Sequence, residues 1–335
     1  MFARTYASGL VSPATGPRVF PQIPYIKGMN TVVQLLHLVL HVAVAATLPP
    51  LLLGVINKTK ALFAGRVGPP VLQLYYDLFK LFRKGSVRST TTTWVFLAGP
   101  VVGLVTAALA VLLIPLAGSS APISFTGDLI LLAYLLGLGR FFTASAALDT
   151  GSAFEGMGAA REVTFACLTE PAFFLGLLVL ANLSGSLQLA RMLGDSLASH
   201  YATAGASLAL VLLSWFIVLL AENSRIPFDD PNTHLELTMI HEVMVLDHSG
   251  PALAMILYGA ALKLFVFGAL IVRLALPLTT EPLLDWPIFG LGMLLVAVAI
   301  GVVESTMARL RLTHVPVLLV AACLLSAFAV ILLVR

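Results

Sequence analysis

Six charged residues stand in stretches otherwise fit for the interior of a bilayer. Arg140 interrupts one apolar run, and Lys263 lies near the middle of another. Glu162 and Glu170 fall in a third, while Glu222 and Glu304 close two more. Each such charge costs about 2.5–3.5 kcal/mol at a helix centre on insertion scales. Placed in one bundle, they form a buried polar path. Burial penalises the charged form of such groups, which suits proton exchange. Glu162 and Glu170 are eight residues apart, which predicts roughly one helix face and a separation of about 12 Å. The bland alternatives are specific. Arg140, Arg161 and Glu304 sit near run ends, from which long side chains reach the interface. Glu170 precedes Pro171, so its carboxylate is placed to satisfy backbone groups that the proline frees. Lys263 lies too deep for either explanation.

A second concentration lies at 222–250. Glu222, Asp229, Asp230, Glu236, Glu242 and Asp247 stand there against the single Arg225. The histidines offer less. His37 and His41 share a helical face, but two ligands make no metal site. His241-Glu242 begins a metalloprotease pattern, yet position 245 is valine and the signature fails. His234, His241 and His248 read as loop residues that hydrogen-bond or carry protons. No P-loop, dinucleotide fingerprint or nucleophile elbow is present. Cys167 and Cys323 are too few for a cysteine-only Fe–S or zinc centre. The chain is therefore expected to hold no cofactor or metal of its own.

The elements that position these residues follow from composition. The chain has 335 residues, 59% hydrophobic and only 10% charged, with mean hydropathy +1.00. Soluble domains carry about 25% charged residues, so a soluble enzyme is excluded, and disorder needs low hydrophobicity. Eight apolar runs fall at about 30–56, 94–116, 128–148, 163–184, 204–222, 251–275, 287–305 and 312–334. A spanning helix needs about 20 such residues. The runs are apolar on all faces, which excludes the alternation of an outer-membrane barrel. The expected fold is an all-α integral membrane protein: an irregular tail at 1–29 and one polytopic domain at 30–335.

Segments after runs one, three, five and seven hold 11 Lys and Arg, and the opposite side holds 6. That bias places the first long loop in the cytoplasm and both termini outside. The basic pI near 9.0 is then an orientation signal, not a sign of a nucleic-acid partner. Within the first loop, residues 71–84 repeat apolar side chains at helical spacing. They predict an interfacial amphipathic helix, either a lipid anchor or a docking platform.

Several motifs together resemble the complex I subunit 1 family. Gly65-Arg66-Val67-Gly68-Pro69 with Gln73, Tyr76-Asp77 and Lys80-Leu81 looks like its first cytoplasmic loop. Ala221-Glu222, Arg225-Ile226-Pro227-Phe228-Asp229 looks like its loop after the sixth helix. Other stretches look closer to membrane subunits of energy-converting, formate hydrogenlyase-type [NiFe] hydrogenases. These are Arg140-Phe141-Phe142, Leu148-Asp149-Thr150-Gly151-Ser152, Ala160-Arg161-Glu162, Asp229-Asp230-Pro231, the segment His234 to Pro251, and Glu304 to Arg311. The match covers nearly all of 31–315.

The resemblance implies a subunit of a prokaryotic inner-membrane complex. It would anchor a soluble arm, with [NiFe] and Fe–S clusters on hydrogenase-like large and small subunits and an Fe–S subunit, to antiporter-like membrane subunits. It makes Glu162, Glu222, Glu236 and Glu242 candidates for an acidic channel, with Arg140, Glu170 and Lys263 beside them. Asp229 and Asp230 become candidates for coupling. Arg161 and Arg225, with Arg66, Asp77 and Lys80, become candidates for loop positioning and docking. The Asp-Asp-Pro, histidine-rich loop departs from the quinone-type version, which speaks against a quinone site. Three other readings stay open: a quinone-reducing dehydrogenase module, a purely structural anchor, and a related complex whose large subunit lacks the [NiFe] ligands.

Overall fold

The computed structural model describes residues 31–117, 121–194, 196–229, 239–276 and 282–334. The tail at 1–29, with Asp230, His234 and Glu236, lies outside them. Eight helices are long and apolar enough to cross a membrane. In chain order they are α1 (Thr31–Phe63), α3 (Trp94–Leu113), α4 (Asp128–Asp149), α5 (Ala153–Ser184), α7 (Ser196–Glu222), α8 (Gly250–Ala275), α9 (Pro282–Thr306) and α10 (Val315–Val334). Two short helices, α2 (Gln73–Phe82) and α6 (Leu189–Met192), and a 3-10 turn (Glu242–Val245) lie between them. The chain divides into two units at Val39/Leu40. The first contains the start of α1, and everything described below belongs to the second.

Three helices outrun the apolar segments that announce them by seven residues or more. α5 starts ten residues before its run, because three Ala, Met157, two Glu and Arg161 in Ala153–Glu162 favour helix enough to offset Gly156 and Gly158 without needing lipid. α7 starts eight residues early and is broken at Ala204 (φ −123°, ψ 20°), where the apolar run begins. α1 runs on through Lys58 and Lys60. Hydropathy marks where lipid ends, not where backbone hydrogen bonding ends.

α3 packs against α4 and α8, and α10 lies along α5 and α7. Small residues allow close approach between helices in lipid. A Cβ on Gly176 of α5 would sit 2.2 Å from Trp215 Nε1 of α7, and Trp215 is buried. Gly176→Ala is therefore expected to cost about 1–3 kcal/mol by overpacking. It should lower the melting temperature of the purified protein. Gly137→Ala, where nothing lies within 4 Å of the new methyl, should not.

Several polar side chains inside the bundle pair across helices. The Ser326 hydroxyl donates to Ser214 Oγ at 2.8 Å, and Ser214 donates to the Ala322 carbonyl at 2.8 Å, joining α7 to α10. The Tyr258 hydroxyl donates to the Ala46 carbonyl at 2.9 Å, joining α8 to α1. Asp149, at the end of α4, accepts from the backbone N–H groups of Thr93 (2.7 Å) and Phe96 (3.3 Å). It thereby satisfies donors that the start of α3 would leave orphaned. Asp128 does the same for α6 through Leu189 N–H at 2.7 Å.

The loops of one bundle end meet. Ser249 exchanges hydrogen bonds with the Val87 backbone at 3.0 and 3.1 Å. The amphipathic helix spans 73–82, shorter than 71–84. It buries Leu78 and ties Tyr75 to the Thr47 carbonyl. Tyr76, Phe79 and Phe82 remain exposed, with the Arg83 guanidinium 3.9 Å over the Phe79 ring.

Candidate ion path and coupling site

Five of the six membrane-embedded charges gather around Glu222, the last residue of α7. Arg140 Nη2 of α4 donates to both Glu222 oxygens, at 2.8 and 2.9 Å. Lys263 Nζ of α8 lies 2.9 Å from Glu222 Oε2. The Thr169 hydroxyl of α5 donates to Glu222 Oε1 at 2.7 Å. Arg140 also pairs with Glu170 of α5 through its other terminal nitrogen. A buried ion holds only when paired and hydrogen-bonded, and here four helices supply the partners. Arg140 therefore does not snorkel to the interface.

Glu162 and Glu170 do not share a face. Eight residues turn a helix by about 80° beyond two full turns. Thr169, seven residues from Glu162, takes the inward position, and Glu170 faces outward with 47% of its side chain exposed. Nor does Glu170 serve the backbone beside Pro171, because its oxygen is engaged by Arg140. Glu162 has no hydrogen-bond or ion-pair partner within contact distance among the described residues.

A cavity of about 130 Å³ runs from Pro100 and Gly103 of α3 to this cluster. Its wall includes Arg140, Glu162, Glu222, Lys263, His241 and His248. A second void of about 20 Å³ lies among Thr169, Phe228 and Ile240. Glu162 and Glu222 line both. One water needs roughly 10–15 Å³ by this measure. The larger cavity thus has room for several waters and the smaller one for about one, with the two carboxylates between them.

A second cluster fixes the loop after α7. Glu304 of α9 has a fully buried side chain between Lys60 Nζ at 2.8 Å and Arg225 Nη1 at 3.4 Å. Like Arg140, it stays inside. Asp229 Oδ1 pairs with Arg309 at 2.8 Å, while Oδ2 accepts from the Ile240 and His241 backbone at 2.9 and 3.3 Å. Arg161, inside α5 instead of in a loop, donates to the Met239 carbonyl at 2.9 Å. Leu310 N–H donates to the Pro227 carbonyl at 2.9 Å. Glu242 opens the 3-10 turn. On the surface, Arg66 and Lys80 are exposed and Asp77 accepts from the Gln73 amide at 3.0 Å.

Sequence reasoning passes over Thr169, Lys60 and Arg309. The signal for Thr169 is its seven-residue spacing from Glu162. Lys60 and Arg309 look like ordinary orientation charges. Among the described residues, no group of three or more His, Cys, Asp or Glu is placed to hold a metal. His41 instead meets the Val111 carbonyl at 3.2 Å.

His248 stacks on Phe96, with ring centroids 3.9 Å apart. Burial pushes its imidazole down from 6.5 to about 4. Burial, then the Lys263 charge, does the same to His241. Both are neutral at pH 7. Between pH 6.5 and 4 the unfolded chain binds protons that the folded one refuses, so stability rises with pH. It is complete above pH 6.5 and falls as pH drops toward 4. His248→Phe is expected to flatten that dependence, read as melting temperature against pH. An unchanged slope would show that His248 is not held neutral.

Comparison with known proteins places this arrangement. The family model described as NADH dehydrogenase matches residues 35–335, nearly the whole of the bundle. The chain belongs to this family. Within the NADH dehydrogenase family it is similar to hydrogenase-4 component C of Escherichia coli K12. The two are 35% identical over 271 residues, covering 79% of this chain and 84% of the relative. Formate hydrogenlyase subunit 4 of the same organism is 32% identical over 288 residues, covering 84% and 92%. An NADH-quinone oxidoreductase subunit from Rubrobacter xylanophilus is 27% identical over 256 residues, covering 74% and 76%. A chain of a membrane-bound sulfane sulfur reductase, an archaeal respiratory membrane complex, shares the fold. Its TM-score is 0.77 at 21% identity, covering 90% of this chain and 99% of that one.

Proposed function

We propose that this family member is the membrane subunit that anchors the soluble electron-transfer arm of an energy-converting [NiFe] hydrogenase. In the same reading it couples redox chemistry to proton or sodium translocation. The observation that carries this is Glu222, held by Arg140, Lys263 and Thr169 between two cavities that Glu162 also lines. The similarity to two hydrogenase-complex subunits supplies the context. The partners would be hydrogenase-like large and small subunits, an Fe–S subunit and antiporter-like membrane subunits. The [NiFe] and Fe–S clusters would sit on those chains. The membrane would be the prokaryotic inner membrane, with both termini outside.

Coupling would run through the loop after α7. Asp229 and Arg225 tie this loop to Arg309 and Glu304, and Arg161 ties the segment near Met239 to α5. A redox-linked change of charge or position in the arm would move these ties. Because they adjoin Glu222, that movement would change how strongly the cluster holds its protons. Glu162 has space and no contact partner among the described residues, so it is the group placed to take up and pass a proton. Asp230, Glu236 and Glu242 would extend the path toward the arm. Arg66, Asp77 and Lys80 would face the docked subunits.

The test is nickel in the complex that co-purifies with this chain in mild detergent. Stoichiometric nickel with hydrogen turnover is the expected result. Fe–S subunits without nickel would overturn the hydrogenase assignment, and quinone or sulfur reduction would then be assayed. The fold does not separate these activities, because a sulfane sulfur reductase chain shares it.

A further inference from the structure

The Glu222 cluster does not end inside the subunit. Glu170 carries its charge to the outer surface of α5, with the side chain 47% exposed, whereas Arg140 is 11% and Glu222 5% exposed. Glu170 is 7 residues from the start of the apolar run at 163 and 14 from the end of α5, or about 10 and 21 Å at 1.5 Å per residue. A glutamate side chain spans only a few ångströms, so it cannot snorkel to either interface. Facing hydrocarbon, an ionised carboxylate at this depth is costly.

The surrounding surface is a continuous exposed stripe along α5: Ala160, Thr164, Cys167, Glu170, Phe174 and Leu178. The residues on one side of Glu170 are small enough for another helix to approach closely. The charges are also unequal. Arg140 and Lys263 face three carboxylates, Glu162, Glu170 and Glu222. When Glu162 is ionised, one further positive charge would balance them, and the open side of Glu170 is where it can be added. A symmetric second copy of this chain would instead bring Glu170 against its own counterpart.

We propose that the α5 face centred on Glu170 is covered, in the assembled complex, by a transmembrane helix of a different membrane subunit that presents a lysine or arginine at the depth of Glu170. This rests on the multisubunit reading above and names the partner's chemistry at that site. The partner's cation would complete a chain of alternating charges from Lys263 through Glu222, Arg140 and Glu170 into the neighbour.

The experiment places the photocrosslinker p-benzoylphenylalanine at Phe174, one turn from Glu170 and 46% exposed, in the purified complex in lipid nanodiscs. The expected adduct joins one other membrane subunit, in a helix with a Lys or Arg within one turn of the crosslinked residue. Glu170→Lys should cut that adduct at least tenfold, and changing the partner's basic residue to Glu should restore it. Adducts to lipid alone, adducts to another copy of this chain, the absence of a protein adduct, or a partner helix without a basic residue there would each overturn the proposal. None of these readouts depends on ion transport or nickel. A complex without nickel that still gives the adduct would sink the hydrogenase assignment and leave this interface standing.

Discussion

Glu222→Gln is expected to abolish ion transport driven by the complex while electron turnover by the soluble arm continues. Glutamine keeps an oxygen for the Thr169 hydroxyl but removes the charge that Arg140 and Lys263 share. Arg140 retains Glu170, whereas Lys263 is left beside Glu162 as the remaining carboxylate of the cavity. Transport, measured in proteoliposomes against hydrogen turnover, should fall at least tenfold per electron. Full transport at full turnover would sink the coupling role. Glu222→Ala should be worse, because removing one partner of a buried pair costs about 3–5 kcal/mol. That variant should fail to assemble. Adding Lys263→Met to Glu222→Ala removes the orphaned ammonium. The double variant should recover assembly but not transport, a non-additivity expected of residues in contact. Recovery of both would reduce the cluster to a structural plug.

The second large effect belongs to Glu304. Its carboxylate lies between Lys60 of α1 and Arg225 of the loop, forming an ion pair with the first and accepting a hydrogen bond from the second. Glu304→Ala leaves two largely buried cations without their shared carboxylate, again up to about 3–5 kcal/mol by analogy with other broken buried pairs. Because Arg225 belongs to the loop that also holds Asp229, the expected consequence is release of the soluble arm. On the hydrogenase reading proposed above, the arm's Fe–S absorbance would move from the membrane fraction to the soluble fraction, with hydrogen turnover surviving there. Glu304→Asp keeps the charge and should retain most of the arm. Lys60→Met should be milder than Glu304→Ala, since it leaves the Arg225–Glu304 pair in place. A membrane-bound arm in the alanine variant would show that the loop is held by its other ties.

The eight spans are legible in the sequence because lipid imposes a length and a composition on each helix, and little else satisfies both. The six embedded charges are legible for the same reason, since each one breaks the pattern. The pairing is not. Arg140 and Glu222 are 82 residues apart in the chain, and only the packing of α4 against α5 and of α5 against α7 brings them together. Spacing alone puts Glu170 on the wrong side of α5, because eight residues fall about 80° off a shared face. Thr169 gives no signal by type, since a threonine in an apolar run is ordinary. Lys60 reads as a topology charge and is in fact the partner of a buried glutamate, Glu304.

The three-way contact of Arg140 also constrains how the protein is made. As α4 enters the membrane, its arginine has neither acidic partner until Glu170 follows 30 residues later, and Glu222 emerges only after 82. With about 2.5–3.5 kcal/mol charged against an unpaired arginine at a helix centre, α4 alone is a poor candidate for release into lipid. A nascent chain that ends before α7 should therefore hold α4 at the insertion machinery. The helices that carry the cluster would then enter the bilayer as a group, not one at a time.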